Sequence, residues 1–283
     1  MVQFLLKRLI GLLFVVIGVT FITFIMGYLA PGDPIYNMLG VHYTPAAYQA
    51  LKHTYGLDLP WYAQYVRYLR DLLTLNFGLS YAYKGQDVAS ILARGLPVSL
   101  ELGLWALLLQ VVLGIPLGVI AALRANTWVD TLGMGGMLIL YAIPVFVMAT
   151  FAQVVIVQFD QASGINWPAA NWGTPWAYAW DDLQLKLVPI LVYAATGMAY
   201  FARLARTTML EVLRQDYVRT ARAKGLRERV VIGRHALRNA LIPLVTVLGV
   251  SIGFLVSGAF FIENIFNIPV IANITLSSVS TRD

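Results

Sequence analysis

Residues 9–29 read LIGLLFVVIGVTFITFIMGYL, twenty-one consecutive positions without a charged side chain. At about 1.5 Å of rise per residue, a helix of that length crosses a hydrocarbon core of about 30 Å, where the backbone must satisfy its own hydrogen bonds. Four further apolar runs, at 98–123, 132–157, 185–204 and 240–262, are long enough to do the same. Composition agrees, with 59% of the 283 residues hydrophobic and 12% charged, against roughly 45–50% apolar and about 25% charged in a soluble domain. The predicted fold class is all-α, a polytopic transmembrane helical bundle with five visible spans. Soluble-enzyme, secreted and nuclear readings fall away. With no cysteine in the chain, disulfides, thiolate metal sites and cysteine nucleophiles fall away too.

Charge sets the orientation. Net charge is +6, and residues 203–238 hold ten of the twenty Lys and Arg against three acids, a local +7. One segment between two apolar runs carries the whole excess, as the positive-inside rule expects of a cytoplasmic loop. Lys7-Arg8, ahead of the first run, likewise hold the amino terminus inside. That run exceeds the roughly 7–15 apolar residues of a signal peptide, and cleavage after Ala30 would put Tyr28 where a small residue is needed, so it reads as a retained helix. Residues 1–30 are then a cytoplasmic end and first span, and 31–96 an extracytoplasmic segment. Residues 97–283 form a transmembrane core that includes the cytoplasmic loop 203–239.

The outer segment has its own local signals. Pro31-Gly32-Asp33-Pro34 is a turn, and Thr44-Pro45 opens a short helix that stops near Gly56. Trp61, Tyr65, Tyr68, Leu69 and Leu72 recur at helical spacing, predicting an amphipathic helix that packs as a lid on the spans or lies among headgroups. Inside the spans, Gly114-Ile115-Pro116-Leu117-Gly118 predicts close helix approach with a kink, and Pro144 a kinked third helix. Gly249, Gly253, Ser257, Gly258 and Ala259 give the fifth run a small-residue face. Trp167, Trp172, Trp176 and Trp180, in a stretch with three aspartates and no base, read as an interfacial belt.

The chain shows no fuel of its own. No lysine follows a glycine anywhere, so a phosphate-binding loop of the form G-x-x-x-x-G-K-[ST] cannot be written. The one acid in the spans, Glu101, lies near an outer end and reads as a carboxylate reaching the headgroups rather than a proton relay. His42, His53 and His235 lack the carboxylate spacing of a metal site, and Ser99, Ser251 and Ser257 lack neighbouring triad partners. No catalytic residue, metal ligand or cofactor is assigned to this chain.

The basic loop is more informative. Residues 211–224 lack Gly and Pro and predict a helix, on which Val218, Ala221, Arg222 and Gly225 share a face. A second helix over 228–241 leads back to the bilayer before Pro243. Attraction to anionic lipid, about 1 kcal/mol per basic residue near the surface, accounts for the charge. It does not account for Ala221, Ala223 and Gly225, whose small side chains admit another protein's backbone.

These residues carry a resemblance. The run 216–226, DYVRTARAKGL, followed by HALRNALIP at 235–243, resembles the EAA-type loop of inner-membrane permease subunits of binding-protein-dependent ABC importers. The form is similar to the dipeptide/oligopeptide/nickel branch, with Arg219-Thr220-Ala221 where other branches carry Glu-Ala-Ala. Leu29-Ala30-Pro31-Gly32-Asp33-Pro34, Gly56-Leu57-Asp58-Leu59-Pro60, Phe77-Gly78-Leu79-Ser80, Leu96-Pro97-Val98-Ser99-Leu100 and 114–118 extend it over most of the chain. The long outer segment resembles the B-type permease of the pair. Two features depart from or end short of the family pattern. Pro269-Val270-Ile271-Ala272 stands where the family usually has Pro-Gly-Ile-Gly, and the family's sixth span follows the Arg-Asp that is here Arg282-Asp283, so a sixth span is expected beyond residue 283.

The resemblance implies half of a translocation path shared with a second permease subunit. It implies two cytoplasmic ATPase subunits that hold ATP and Mg, an extracytoplasmic binding protein that delivers peptide, and a bacterial or archaeal inner membrane. It also implies that Arg219, Thr220, Ala221, Arg222, Ala223, Lys224, Gly225, Leu226 and Arg227 form the ATPase-coupling surface. Substrate-binding residues stay unassigned. Nickel or oligosaccharide cargo on the same scaffold stays open, as do an ion-driven secondary transporter and a membrane scaffold.

Overall fold

The computed structural model describes residues 2–80, 86–255 and 259–268. The departure at 269–272 and Arg282-Asp283 lie outside them. The described residues are helical apart from turns and one isolated bridge between Leu79 and Asp87, and they divide into two compact units that part at residues 93 and 94.

The first unit opens with α1 (Val2–Leu29), whose side chains are almost all exposed apolar groups, with Thr20 buried. A helix with no polar face suits lipid on most sides. The Pro31–Pro34 turn ends at α2 (Pro34–Leu39), where Asp33 Oδ1 accepts from Ile35 N at 2.9 Å. In α3 (Pro45–Tyr55), Thr44 Oγ1 caps Ala47 N at 3.2 Å, and Gly56 closes the helix in the left-handed region at φ +68°. The amphipathic helix α4 (Trp61–Leu73) packs on α1 through Tyr65, whose ring meets Phe21 and Phe24 at 5.3 Å centroid distance. The Tyr65 hydroxyl donates to Ile17 O at 3.1 Å. The lid reading therefore holds for this helix against the first span.

The second unit carries the remaining spans. α5 (Val88–Leu123) runs on from the first unit, about ten residues longer at its start than the apolar run predicts, and continues through Pro97 and Pro116. It meets α8 (Trp180–Leu213) closely, because a Cβ on Gly114 would stand 2.7 Å from Met198 O and one on Gly118 would strike Ala202 O. The two glycines are therefore required by backbone contact. The third apolar run is two helices rather than one kinked helix. Ile143, extended at ψ 121°, and Pro144 separate α6 (Trp128–Ala142) from α7 (Val145–Ser163), since a residue before proline is pushed out of helical geometry.

Beyond α8 the expected helix over 211–224 is also divided. α8 continues to Leu213, and Gln215, extended, caps α9 (Asp216–Ala223). The turn folds Val218 and Ala221 onto Val212, Leu213 and Val231, so burial of that apolar edge overrides local helix propensity. After Arg227 the chain is helical without interruption from Glu228 to Leu255, as a short α10 (Glu228–Val230), a π-helical stretch (Val231–Leu237) and α11 (Arg238–Leu255). Pro243 does not stop it. No described residue lies within 4 Å of a Cβ built on Gly249 or Gly253, so that part of the expected small-residue face is open, whereas Ala259 is buried and Ser257 and Gly258 lie outside the described residues. The short α12 (Phe260–Ile265) completes the described residues.

Candidate functional site

At the α9 turn the residues of the expected coupling surface divide into braced and presented groups. Ala221 is 5% exposed and Val218 fully buried, so two members of the small-sided face hold α9 against its own chain. Arg219, Thr220, Arg222, Ala223, Lys224, Gly225, Leu226 and Arg227 are exposed. Arg222 donates to Glu228 Oε1 at 2.8 Å across the turn, and the carboxylate beside it raises the guanidinium pKa further. Gly225, at φ +73° with nothing within 4 Å of a built Cβ, is needed for its backbone angle and not for space. Asn239 Nδ2 donates to Tyr217 Oη at 3.0 Å, tying α9 to the start of α11. The presented surface is therefore short and cationic, and it is rigidly backed.

The opposite end of α8 holds a buried network that the sequence reading missed. Glu101, expected at the headgroups, is fully buried on α5 and paired with Lys186 on α8 at 2.9 Å, both side chains at 0% exposure. Glu101 Oε2 also accepts from Trp172 Nε1 at 3.0 Å and Trp176 N at 2.9 Å. Lys186 Nζ donates its other two hydrogens to Thr174 O at 2.8 Å and Ala177 O at 2.7 Å. All three ammonium donors are satisfied, which a buried charge requires. Trp176 takes φ +60°, a costly angle for a bulky residue that the carboxylate contact of its N–H offsets. The interfacial-belt reading fits Trp176 and Trp180, which are exposed, and fails for Trp172, which is fully buried in the core with Leu102, Val192 and Phe266.

Two more polar ties close this end. Ser99 Oγ donates to Glu263 Oε1 at 2.8 Å, linking α5 to α12, and Asn171 N donates to Phe266 O at 2.8 Å. Gln153 Nε2 on α7 reaches both Ala169 O at 3.2 Å and Ile265 O at 3.0 Å. Residues 164–179 and α12 are thus fastened to α5, α7 and α8 through buried groups.

Towards the Leu213 end, Asp130 on α6 accepts two bonds from Arg206 on α8, at 2.5 and 2.6 Å. The Asp130 side chain is 5% exposed and that of Arg206 28%. Asp130 lies two residues before an expected span, and Lys186 is the second residue of one. The available signal was that each stands at the end of an apolar run with an opposite charge on another helix. Among the described residues no cluster of three or more His, Asp or Glu could hold a metal ion.

The family model described as "Binding-protein-dependent transport system inner membrane component" matches residues 114–283, and the N-terminal model of the same membrane component matches residues 1–103. The chain is 38% identical over 283 residues to the dipeptide transport system permease protein DppB of Bacillus subtilis, covering 100% of this chain and 87% of the relative. It is 37% identical to the protein of that name from Lactococcus lactis, covering 100% and 88%. To the glutathione transport system permease protein GsiC of Shigella flexneri it is 32% identical, covering 100% and 88%.

Proposed function

The chain belongs to the family of binding-protein-dependent transport system inner membrane components, and on that premise we propose that it forms one half of the translocation path of an ATP-driven importer of di- or oligopeptides. The observation that carries this reading is likeness along the whole chain to dipeptide permeases. An ion-driven carrier is not favoured, since the acid inside the spans is paired with Lys186.

In this reading a second permease subunit completes the path, an extracytoplasmic binding protein delivers the peptide, and two cytoplasmic ATPase subunits hold ATP and Mg. The amino terminus is cytoplasmic in a bacterial or archaeal cell membrane. Residues 1–30 are the first span, 31–96 the outer segment and 97–283 the core. The exposed edge from Arg219 to Arg227 docks on an ATPase subunit, while Ala221 supports it from behind. Closure of the ATPase pair pushes on α9, and the tie from Tyr217 to Asn239 passes the displacement to α11. Only a partner with different affinity for the two conformations can shift their balance, so nucleotide must change how tightly that edge is held.

The test is peptide uptake by the reconstituted complex with ATP. Gly225→Asp places a carboxylate on the docking edge, and Gly225→Asn separates charge from backbone strain because asparagine tolerates the left-handed region. Uptake by Gly225→Asp falls at least about tenfold while ATP hydrolysis persists, and Gly225→Asn retains most of it. Unchanged transport by Gly225→Asp contradicts the docking role.

A further inference from the structure

The exposed side chains of α8 change character along its length. Nearer Trp180 they include Leu187 and Leu191, but from Val192 to Leu213 the exposed residues are Arg203, Thr207 and Glu211. With the half-buried Thr196 and Tyr200 these lie on one helical stripe, at spacings of four, three, four and four residues. By contrast α1 exposes apolar groups along its whole length. The stripe runs from the fourth apolar run into the cytoplasmic loop that begins at residue 203, and its hydroxyls and charges suit an aqueous surface at the mouth of the bundle rather than acyl chains.

Beside this stripe lies an open groove of about 220 Å³, lined by Met134, Met137, Leu138 and Tyr141 of α6 and by Ala199, Arg203 and Arg206 of α8. Its two cations are not equivalent. Arg206 is occupied by the Asp130 carboxylate through both arms of its fork. Arg203 lies 4.4 Å over the Tyr141 ring centroid, and that ring stacks on Tyr200 at 6.3 Å and 25°. A guanidinium held over an aromatic face by a cation–π contact still has N–H donors to offer a ligand.

A path that takes peptides of differing sequence can rely only on groups every peptide has, the backbone and the two charged ends. Planar, bidentate recognition by arginine fits a carboxylate. We infer that Arg203, held over the Tyr141 ring, takes the terminal carboxylate of the peptide in transit along the lower edge of α8. The inference rests on the peptide-permease reading and adds the residue that meets the cargo. One exposed arginine gives a contact weak enough for release, which conduction through successive sites requires.

The experiment uses the complete complex in proteoliposomes, with labelled dialanine as cargo and uptake and binding-protein-stimulated ATP hydrolysis measured together. Arg203→Gln lowers dialanine uptake at least about tenfold, the loss expected of one charge-assisted contact, while stimulated hydrolysis stays within twofold of wild type. Arg203→Lys, which keeps the charge without the fork, recovers part of the uptake. Equal uptake by Arg203→Gln and wild type overturns the inference and leaves the peptide-permease reading intact, whereas a wild-type complex that imports neither dialanine nor longer alanine peptides overturns both. Loss of uptake and hydrolysis together in both variants makes Arg203 a structural residue, against the inference. A defect that appears only in vesicles containing anionic phosphatidylglycerol, and not in zwitterionic ones, assigns the groove to a lipid headgroup and overturns it as well.

Discussion

The two ends of α8 treat charge in opposite ways. Near Trp180, Lys186 and Glu101 are sealed from solvent, and every ammonium hydrogen has a partner within the chain. Near Leu213, Arg206 is bound by Asp130 yet partly exposed, Arg203 is exposed, and the helix passes into a turn with eight exposed residues of the Arg219–Arg227 segment. The first arrangement fixes one geometry, because moving either ion strands the other in a poorly solvating interior. The second leaves groups free to meet something else. One helix therefore joins a fastened end to an end built for contact, which suits a subunit that receives force at one face and keeps its other face closed.

The comparison breaks first at the fastened end. Lys186→Met leaves the Glu101 carboxylate buried without its counter-ion, and destabilisation of about 3–5 kcal/mol is expected. The double variant Glu101→Leu with Lys186→Met removes both charges and recovers much of that loss. Denaturation of the detergent-solubilised complex checks this, and equal destabilisation by the single and double variants would show that the ion pair is not what holds residues 164–179. A smaller effect belongs to the contact end. Asp130→Asn weakens the bidentate bond to Arg206, but that guanidinium still reaches water, so about 1–2 kcal/mol is expected in the same assay. If Asp130→Asn proves as damaging as Lys186→Met, the contrast between the two ends fails.

Much of the bundle was legible because membrane spans announce themselves by length and apolarity. The 9–29 run, the Thr44 cap, the Gly56 stop and the backbone approach allowed by Gly114 and Gly118 all follow from local rules. What was not legible depends on partners distant in sequence. Glu101 looks like a snorkelling carboxylate until Lys186, 85 positions away, is placed beside it, and Trp172 looks interfacial until the core closes over it. The division at Gln215 likewise follows from the burial of Val218 and Ala221 against Val231, which no propensity of residues 211–224 could reveal. Within the proposed coupling segment 219–227, the structure separates an exposed edge from the buried Ala221 behind it.

The lack of native cysteine permits one direct measurement of the central claim, that the exposed edge of α9 meets an ATPase subunit. A single cysteine at Ala223, with one at the buried Ala221 as the control, is probed with a thiol-reactive heterobifunctional photo-crosslinker in the intact complex, with and without ATP. The account predicts that Ala223→Cys is captured by an ATPase subunit with a yield that changes on adding nucleotide, and that Ala221→Cys is not. A fully active complex in which Ala223→Cys reacts with the reagent but never captures an ATPase subunit would contradict it.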